Sequence, residues 1–223
     1  MRSARVPQGR PGGRHLLRSR ALAESIVRDA GVQAGDLVLD IGAGSGMLTA
    51  PLLAVGARVV AVEPDRELGS RLRRACPGAE IAACDWRATQ WPREPFHVVA
   101  NLPFAEAAEI CRVLFDPRLP LVGAELIVEW DFAAKRARLW PSTAQTVVWN
   151  AWFELAVTRR LSPSAFVPRP SVAAGVLRAR RRGVPLVDPR LASRYDRFVR
   201  DAFRRRADAR DLDPHAWAAR FHA

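Results

Sequence analysis

The chain has 223 residues, 49% of them hydrophobic, enough to bury one full α/β core with a small appendage left over. Its 35 basic residues, all arginine except Lys135, outweigh 23 acidic ones for a net charge of +12 and a pI near 11.3, the electrostatic footprint of a nucleic-acid binder. Cys76, Cys84 and Cys111 match neither zinc-site nor disulfide spacing, no run approaches the roughly 18 apolar residues of a membrane span, and the start lacks a signal-peptide core. The expectation is a soluble, cytoplasmic protein with reduced, buried thiols, no metal and no membrane partner. Arginine in place of lysine is also what a GC-rich genome encodes, but that leaves the excess of base over acid unexplained.

Arg2, Arg5, Arg10, Arg14, Arg18 and Arg20 come before any acid, and residues 1–13 read as a disordered basic arm. Over 20–30, Leu22, Ile26 and Val27 recur at helical spacing, and Gly31 is a C-cap. Residues 37–41 form a strand that runs into a glycine turn, followed by a helix over 47–55 stopped by Gly56. A β-branched run over 58–62 ends at Glu63, and a helix over 67–75 precedes Pro77. Strands are expected over 79–83 and 96–100, and the runs 121–129, 147–157 and 172–178 would complete the sheet. This alternation predicts a Rossmann-like, doubly wound parallel α/β domain over 14–180. Residues 181–223, Arg-rich and helical, read as a short second domain. Eleven arginines fall between Arg178 and Arg206, with Tyr195, Phe198 and Phe203 interleaved, which suggests inward-facing rings and outward arginines able to reach phosphates. Lys135, Arg136, Arg138, Arg159 and Arg160 extend that basic set.

Gly42, Ala43, Gly44 and Gly46 follow a strand and open a helix, where glycines let the backbone turn tightly and approach a ligand closely. The spacing G-x-G-x-G differs from the dinucleotide fingerprint and suits S-adenosylmethionine, which needs no pyrophosphate cradle. Glu63, with Pro64 beside it, ends the next strand, where an acid can accept both ribose hydroxyls. Asp85 ends the third strand, placed to accept from an adenine amino group, with Trp86 as a stacking surface. Asn101-Leu102-Pro103-Phe104 follows the fourth strand on the same edge. An exocyclic adenine amine is a poor nucleophile because its lone pair is delocalised into the ring. The Asn101 side-chain oxygen and the Leu102 carbonyl can accept its two N–H bonds and favour a pyramidal nitrogen. Pro103 stiffens the turn, and Phe104 offers a ring for an extruded base, typically worth about 1–3 kcal/mol.

With these residues the chain resembles the rRNA adenine N6-methyltransferases, which comprise the Erm-type macrolide-resistance enzymes and the small-subunit adenine dimethyltransferases. The resemblance runs over about 13–180 and rests on Gly13-Arg14-His15-Leu16-Leu17, Asp40 to Gly46, Val62-Glu63, Asp85, Asn101 to Phe104, Ile127-Val128-Glu129-Trp130 and the F-x-P-x-P-x-V block Phe166 to Val172. Asn101-Leu102-Pro103-Phe104, the Glu129-Trp130 pair and the segment Ala144-Gln145-Thr146 leading to Trp152-Phe153 are more similar to the Erm-type branch. That likeness implies a monomeric enzyme that methylates an adenine in the peptidyl-transferase region of 23S rRNA, free or as a subunit precursor, conferring macrolide, lincosamide and streptogramin B resistance. A small-subunit (16S) dimethyltransferase and a non-catalytic RNA-binding relative are the alternatives. The resemblance also implies that Arg14, His15 and Leu17 lie at the cofactor. Arg14-His15 stands where the family has Gln-Asn, so Arg14 would pair with the cofactor carboxylate and His15 would donate a hydrogen bond. The tail is shorter than the family's usual C-terminal domain.

Overall fold

The computed structural model describes residues 15–138, 140, 143–205 and 212–223; the arm expected over 1–13, Arg14 and Arg206 lie outside the described residues. The short strand β1 (Leu16–Leu17) leads into α1 (Arg20–Ala30), whose start is capped by the Ser19 hydroxyl accepting from the Leu22 amide and whose end is Gly31 at φ 70°. Ala23, Ile26, Val27 and Ala30 give this helix one buried face. Then come β2 (Leu37–Ile41), α2 (Thr49–Ala54), β3 (Arg58–Val62), α3 (Arg66–Ala75) and β4 (Glu80–Ala82). The chain continues through β5 (Phe96–Asn101), α4 (Ala107–Leu114), β6 (Leu121–Glu129), α5 (Trp130–Arg136) and α6 (Ala144–Asn150). It ends with β7 (Phe153–Leu161), β8 (Phe166–Val167), β9 (Ala174–Arg181), α7 (Ala192–Arg204) and α8 (Pro214–His222).

Seven strands form one sheet in the order β4-β3-β2-β5-β6-β9-β7. The first five are parallel, as the alternation of apolar runs and helices indicated. The last two join by antiparallel ladders: β9 runs against β6, and β7 against β9, so only β9 is reversed. Hydrophobic periodicity gives a strand's faces and not its direction, so the sequence could not distinguish the two. A second correction concerns 147–157, expected as one strand. Residues 144–150 are α6, with Thr143 capping it by accepting from the Thr146 amide, and β7 begins only at Phe153. Val147, Val148 and Trp149 are buried on this helix; packing against the core outweighs their β preference.

The parallel strands bring residues 42–46, Glu63, Asp85 and Asn101 to one edge of the sheet, their C-terminal ends. Because β9 alone is reversed, its Ala174 start and the Leu161 end of β7 meet Glu129 at that same edge. On one face, α4 and α6 cover the sheet, and Tyr195 of α7 and Trp217 of α8 join their cluster. Tyr195 meets Trp152 edge to face at 5.9 Å, so the rings of the Arg-rich tail do point inward. On the other face, α1 packs with Val99, Ile127, Val176 and Phe166. Cys76 and Cys111 are buried and Cys84 half-buried, all three as free thiols.

Asp65 fixes the start of α3: one carboxylate oxygen accepts from the amides of Glu67 (2.9 Å) and Leu68 (3.1 Å). Asp65→Ala leaves those amides without that acceptor. It should cost about 1 kcal/mol and lower the melting temperature by roughly 2–4 °C, read by thermal denaturation.

Candidate functional site

At the end of β2 the chain reverses through three left-handed glycines, Gly42 (φ 74°), Gly44 (φ 56°) and Gly46 (φ 84°). The turn is stitched to β3: the amides of Gly42 and Ala43 both donate to the Val62 carbonyl, at 2.8 and 3.2 Å. Glu63, which follows on the same strand, is 2% exposed, and its carboxylate accepts from the Gly44 amide (2.9 Å) and the Asp65 amide (2.8 Å). The acid therefore bridges the glycine turn and the Pro64-Asp65 turn, with both oxygens aligned by backbone donors.

Asp40 is the last acid before the turn. It is buried, its Oδ2 accepts from the Thr49 hydroxyl at 2.7 Å, and its Oδ1 has no hydrogen-bond partner among the described residues. Burial pushes its pKa up to about 7; the Thr49 bond opposes the shift and the Glu63 charge adds to it.

Asn101 ends β5 facing the glycine turn. Its side-chain NH2 donates to the His15 carbonyl at 2.6 Å, which leaves its Oδ1 buried and without a partner among the described residues. The Leu102 amide donates to the Ile127 carbonyl (3.1 Å), and the Pro103 carbonyl accepts from the amides of Glu106 and Ala107, so this turn is pinned to β6 on one side and to α4 on the other. Phe104 is half-buried, its ring 5.5 Å from His15 and 6.4 Å edge-on from Phe166. The His15 Nδ1 makes a 2.7 Å hydrogen bond with the Pro168 carbonyl. β1 pairs with β8, Leu16 opposite Val167 and Leu17 opposite Phe166. The F-x-P-x-P-x-V block thus acts as a splint, holding residues 15–17 across the glycine turn and against Asn101.

Leu16, Leu17, Asp40, Gly42, Ala43, Ser45, Met47, Leu48 and Asn101 line one crevice. The two orphaned acceptors, Asp40 Oδ1 and Asn101 Oδ1, belong to residues of this lining. A buried acceptor without a donor is costly, and two of them in one crevice match a ligand that brings N–H donors or positive charge. The donor set holds no metal signature: among the described residues, no group of three or more His, Cys, Asp or Glu is arranged to hold an ion.

Asp85 and Trp86 lie at the far end of this edge. Trp86 is 7% exposed, with its Nε1 donating to Glu106 at 2.8 Å, so its ring is part of the core and not an open stacking surface. Asp85 Oδ1 accepts from the amide and the guanidinium of Arg87. Neither Arg87 nor Glu106 carries a sequence signal, because what places them is contact between segments 19 residues apart.

Several arginines read from sequence as phosphate contacts have internal partners. Arg178 pairs with the buried Glu125 and donates to the Asp29 carbonyl at the end of α1; Arg159 donates to Ser25 and Asp29. Arg181 donates to the carbonyls of Pro117, Leu119 and Leu121, and Arg136 lies over Phe132 and Trp149 while donating to Thr143 and Thr146. Arg160 is exposed, with its guanidinium 4.8 Å above the Trp130 ring, at the sheet edge that carries Asn101.

A family model described as ribosomal RNA adenine dimethylase matches residues 11–209. An rRNA adenine N-6-methyltransferase of Bacteroides fragilis is 29% identical over 84% of the chain and 71% of its own length. An rRNA methyltransferase of Streptomyces thermotolerans is 36% identical over 86% of the chain, and the mycinamicin-resistance protein MyrB of Micromonospora griseorubida 32% identical over the same share. The chain spans 65% and 63% of the length of these two. Among solved structures, the 23S rRNA methyltransferase ErmE superposes with a TM-score of 0.81 over 93% of the chain and 98% of its own, at 24% identity. A dimethyladenosine transferase from Plasmodium falciparum gives 0.76 over 86% and 71%, at 23% identity.

Proposed function

The chain belongs to the ribosomal RNA adenine dimethylase family, and from that premise we propose that it transfers a methyl group from S-adenosylmethionine to N6 of an adenine in the peptidyl-transferase region of 23S rRNA, conferring macrolide, lincosamide and streptogramin B resistance. The 23S choice over the small subunit rests on the Glu129-Trp130 pair and on the likeness to MyrB, a resistance protein. In this reading the protein works in the cytoplasm, on rRNA or a subunit precursor.

The observation that carries the reading is the Asn101 amide. With its NH2 committed to the His15 carbonyl, its oxygen is the atom presented to the crevice. It accepts one N–H of the target amine while the Leu102 carbonyl accepts the other, drawing the nitrogen lone pair out of conjugation and aiming it at the methyl. S-adenosylmethionine supplies an electrophilic methyl on a sulfonium: the N–CH3 bond forms as the S–CH3 bond breaks, the neutral thioether leaves without an acid, and the proton of the alkylated nitrogen departs to water after transfer, so no strong base is required. Phe104 stacks the extruded base. Glu63, already aligned by two amides, accepts the ribose hydroxyls; Asp85 accepts the cofactor's adenine amine; and Gly42, Ala43, Gly44 and Gly46 let the backbone approach. His15 and Leu17 close the methionine end, and the role expected of Arg14 falls outside the described residues.

Asp40 Oδ1 fits the cofactor's ammonium, which gives a signed pH dependence. With the native pKa raised to about 7, the stability contributed by Asp40 is fully present below the unfolded carboxylate range and is lost as pH rises through 7. Cofactor binding runs the other way, since the ionised carboxylate attracts the cation. Calorimetry between about pH 5.5 and 7.5, where the cofactor's ammonium keeps its charge, should show S-adenosylmethionine binding tightening about tenfold, and Asp40→Asn should flatten that slope. The function itself is tested by primer extension on rRNA from cells with and without the protein. A new stop in the 23S peptidyl-transferase region supports the proposal, a stop in 16S rRNA supports the small-subunit reading, and no stop overturns both.

A further inference from the structure

β4 and β5 are separated in the sheet by β3 and β2, so no ladder hydrogen bond connects Asp85, after β4, with the 101–104 turn, after β5. Side chains do connect them. Arg87 donates from its backbone amide (2.9 Å) and from a guanidinium nitrogen (3.3 Å) to Asp85 Oδ1. The same guanidinium nitrogen lies 3.7 Å from Glu106 Oε1, and the other terminal nitrogen is 2.6 Å from Glu109 Oε2. The guanidinium sits 4.5 Å above the Trp86 ring, whose Nε1 donates to the second Glu106 oxygen. Glu106 is also the residue whose amide closes on the Pro103 carbonyl at 2.9 Å, with the Ala107 amide alongside at 3.0 Å. One carboxylate thus ties the 101–104 turn to the strand end that carries Asp85.

We propose that Arg87 and Glu106 are positioning residues that couple occupancy at Asp85 to the conformation of the turn holding the target adenine. This rests on the function proposed above, in which Asp85 takes the cofactor's adenine amine. Both Arg87 bonds fall on Oδ1, which leaves Oδ2 as the oxygen for the incoming amine. An amine on Oδ2 fixes the carboxylate plane, the plane fixes the Arg87 fork, and the fork fixes Glu106 and with it the Pro103 carbonyl. The side chains of Asp85, Arg87, Glu106 and Glu109 are 30%, 47%, 32% and 48% exposed. Ion pairs this exposed contribute little to stability, so what they supply is geometry. By reciprocity, a bound target adenine that orders the turn tightens the cofactor by the same factor.

Hydrogen exchange at the Glu106 and Ala107 amides reads the coupling directly, with and without saturating S-adenosylhomocysteine. In the wild-type protein the cofactor product should slow exchange there about fivefold or more, within the usual range of coupling between sites. Two variants break the chain at different points. Arg87→Met keeps an unbranched stem over Trp86 and removes the fork; Glu106→Gln keeps an acceptor for Trp86 and removes the charge that Arg87 meets. In each the slowing should fall below about twofold while S-adenosylhomocysteine affinity stays within several fold, because Glu63, Asp85 and the glycine turn are intact. In methyl transfer at saturating S-adenosylmethionine both should raise KM for RNA by about that same fivefold factor, because the bound cofactor no longer orders the turn that takes the adenine. Wild-type slowing in either variant overturns the coupling and leaves the function standing. Failure of the folded wild-type protein to bind S-adenosylhomocysteine overturns the cofactor reading and the coupling together.

Discussion

Asn101→Ala is expected to reduce single-turnover methyl transfer by about a thousandfold or more while S-adenosylmethionine affinity, measured by calorimetry, stays within a few fold. A loss of that size corresponds to roughly 4 kcal/mol at the transition state, the scale found when one preorganised polar group at a reacting centre is removed. The alanine variant leaves one acceptor, the Leu102 carbonyl, for an amine that needs two to leave conjugation. The Leu102 amide remains tied to Ile127 and the Pro103 carbonyl to Glu106 and Ala107, so the turn itself should survive. His15 loses the donor to its carbonyl but keeps its Pro168 contact and the β1–β8 pairing. Asn101→Asp makes the sharper control. It retains an acceptor oxygen, but the NH2 that donates to His15 is replaced by a second acceptor, so the carboxylate is repelled from that carbonyl and turns. The aspartate variant should therefore be impaired as well, showing that orientation counts beside the presence of an oxygen. Wild-type turnover in Asn101→Ala would remove Asn101 from the chemistry.

The parts of this site that follow one another closely in sequence were legible before the structure. The glycine turn, Glu63 at the end of β3, Asp85 after β4 and Asn101 at the end of β5 are each a short apolar run followed by its punctuating residue, and the structure sets all four on one sheet edge. What sequence could not give are contacts that only the folded chain creates. The Asn101 amide is oriented by a carbonyl 86 residues earlier, and the splint over the crevice joins residues about 150 apart. Its place beside Asp85 makes Trp86 a stacking candidate in sequence, whereas its ring is core and its Nε1 donates to Glu106. The arginines show the same limit: composition counts charges but cannot say that Arg178 neutralises Glu125 or that Arg181 holds three loop carbonyls. Asp40 stands in the motif like any of its neighbours, and its role comes from burial and from an oxygen without a partner among the described residues.

Gly46→Ala tests whether the glycine turn is demanded by backbone geometry or by packing, and it should be costly on both counts. At φ 84° an alanine pays for a left-handed backbone, about 1–2 kcal/mol. Its methyl would lie 2.7 Å from Leu72 Cδ1 and 3.0 Å from Cys76 Sγ, on the buried face of α3 and the residue that ends it. Leu72 is 0% and Cys76 2% exposed, so neither can swing into solvent, and overpacking of this kind costs a further 1–3 kcal/mol or so. The sum, roughly 2–5 kcal/mol, should lower the melting temperature by about 5–15 °C. Cofactor affinity should fall more than tenfold or so, since relief of the clash moves the amides that hold the turn to Ala43 and Glu63. A double-mutant cycle with Leu72→Ala separates the two terms. Leu72→Ala alone costs about 2–5 kcal/mol as a buried truncation, but it also vacates the space the new methyl needs. The double variant should therefore be more stable than the sum of the singles by about 1–3 kcal/mol, with the φ cost remaining. Strict additivity would mean that the methyl finds room without Leu72 moving, and that the left-handed backbone alone requires glycine at this position.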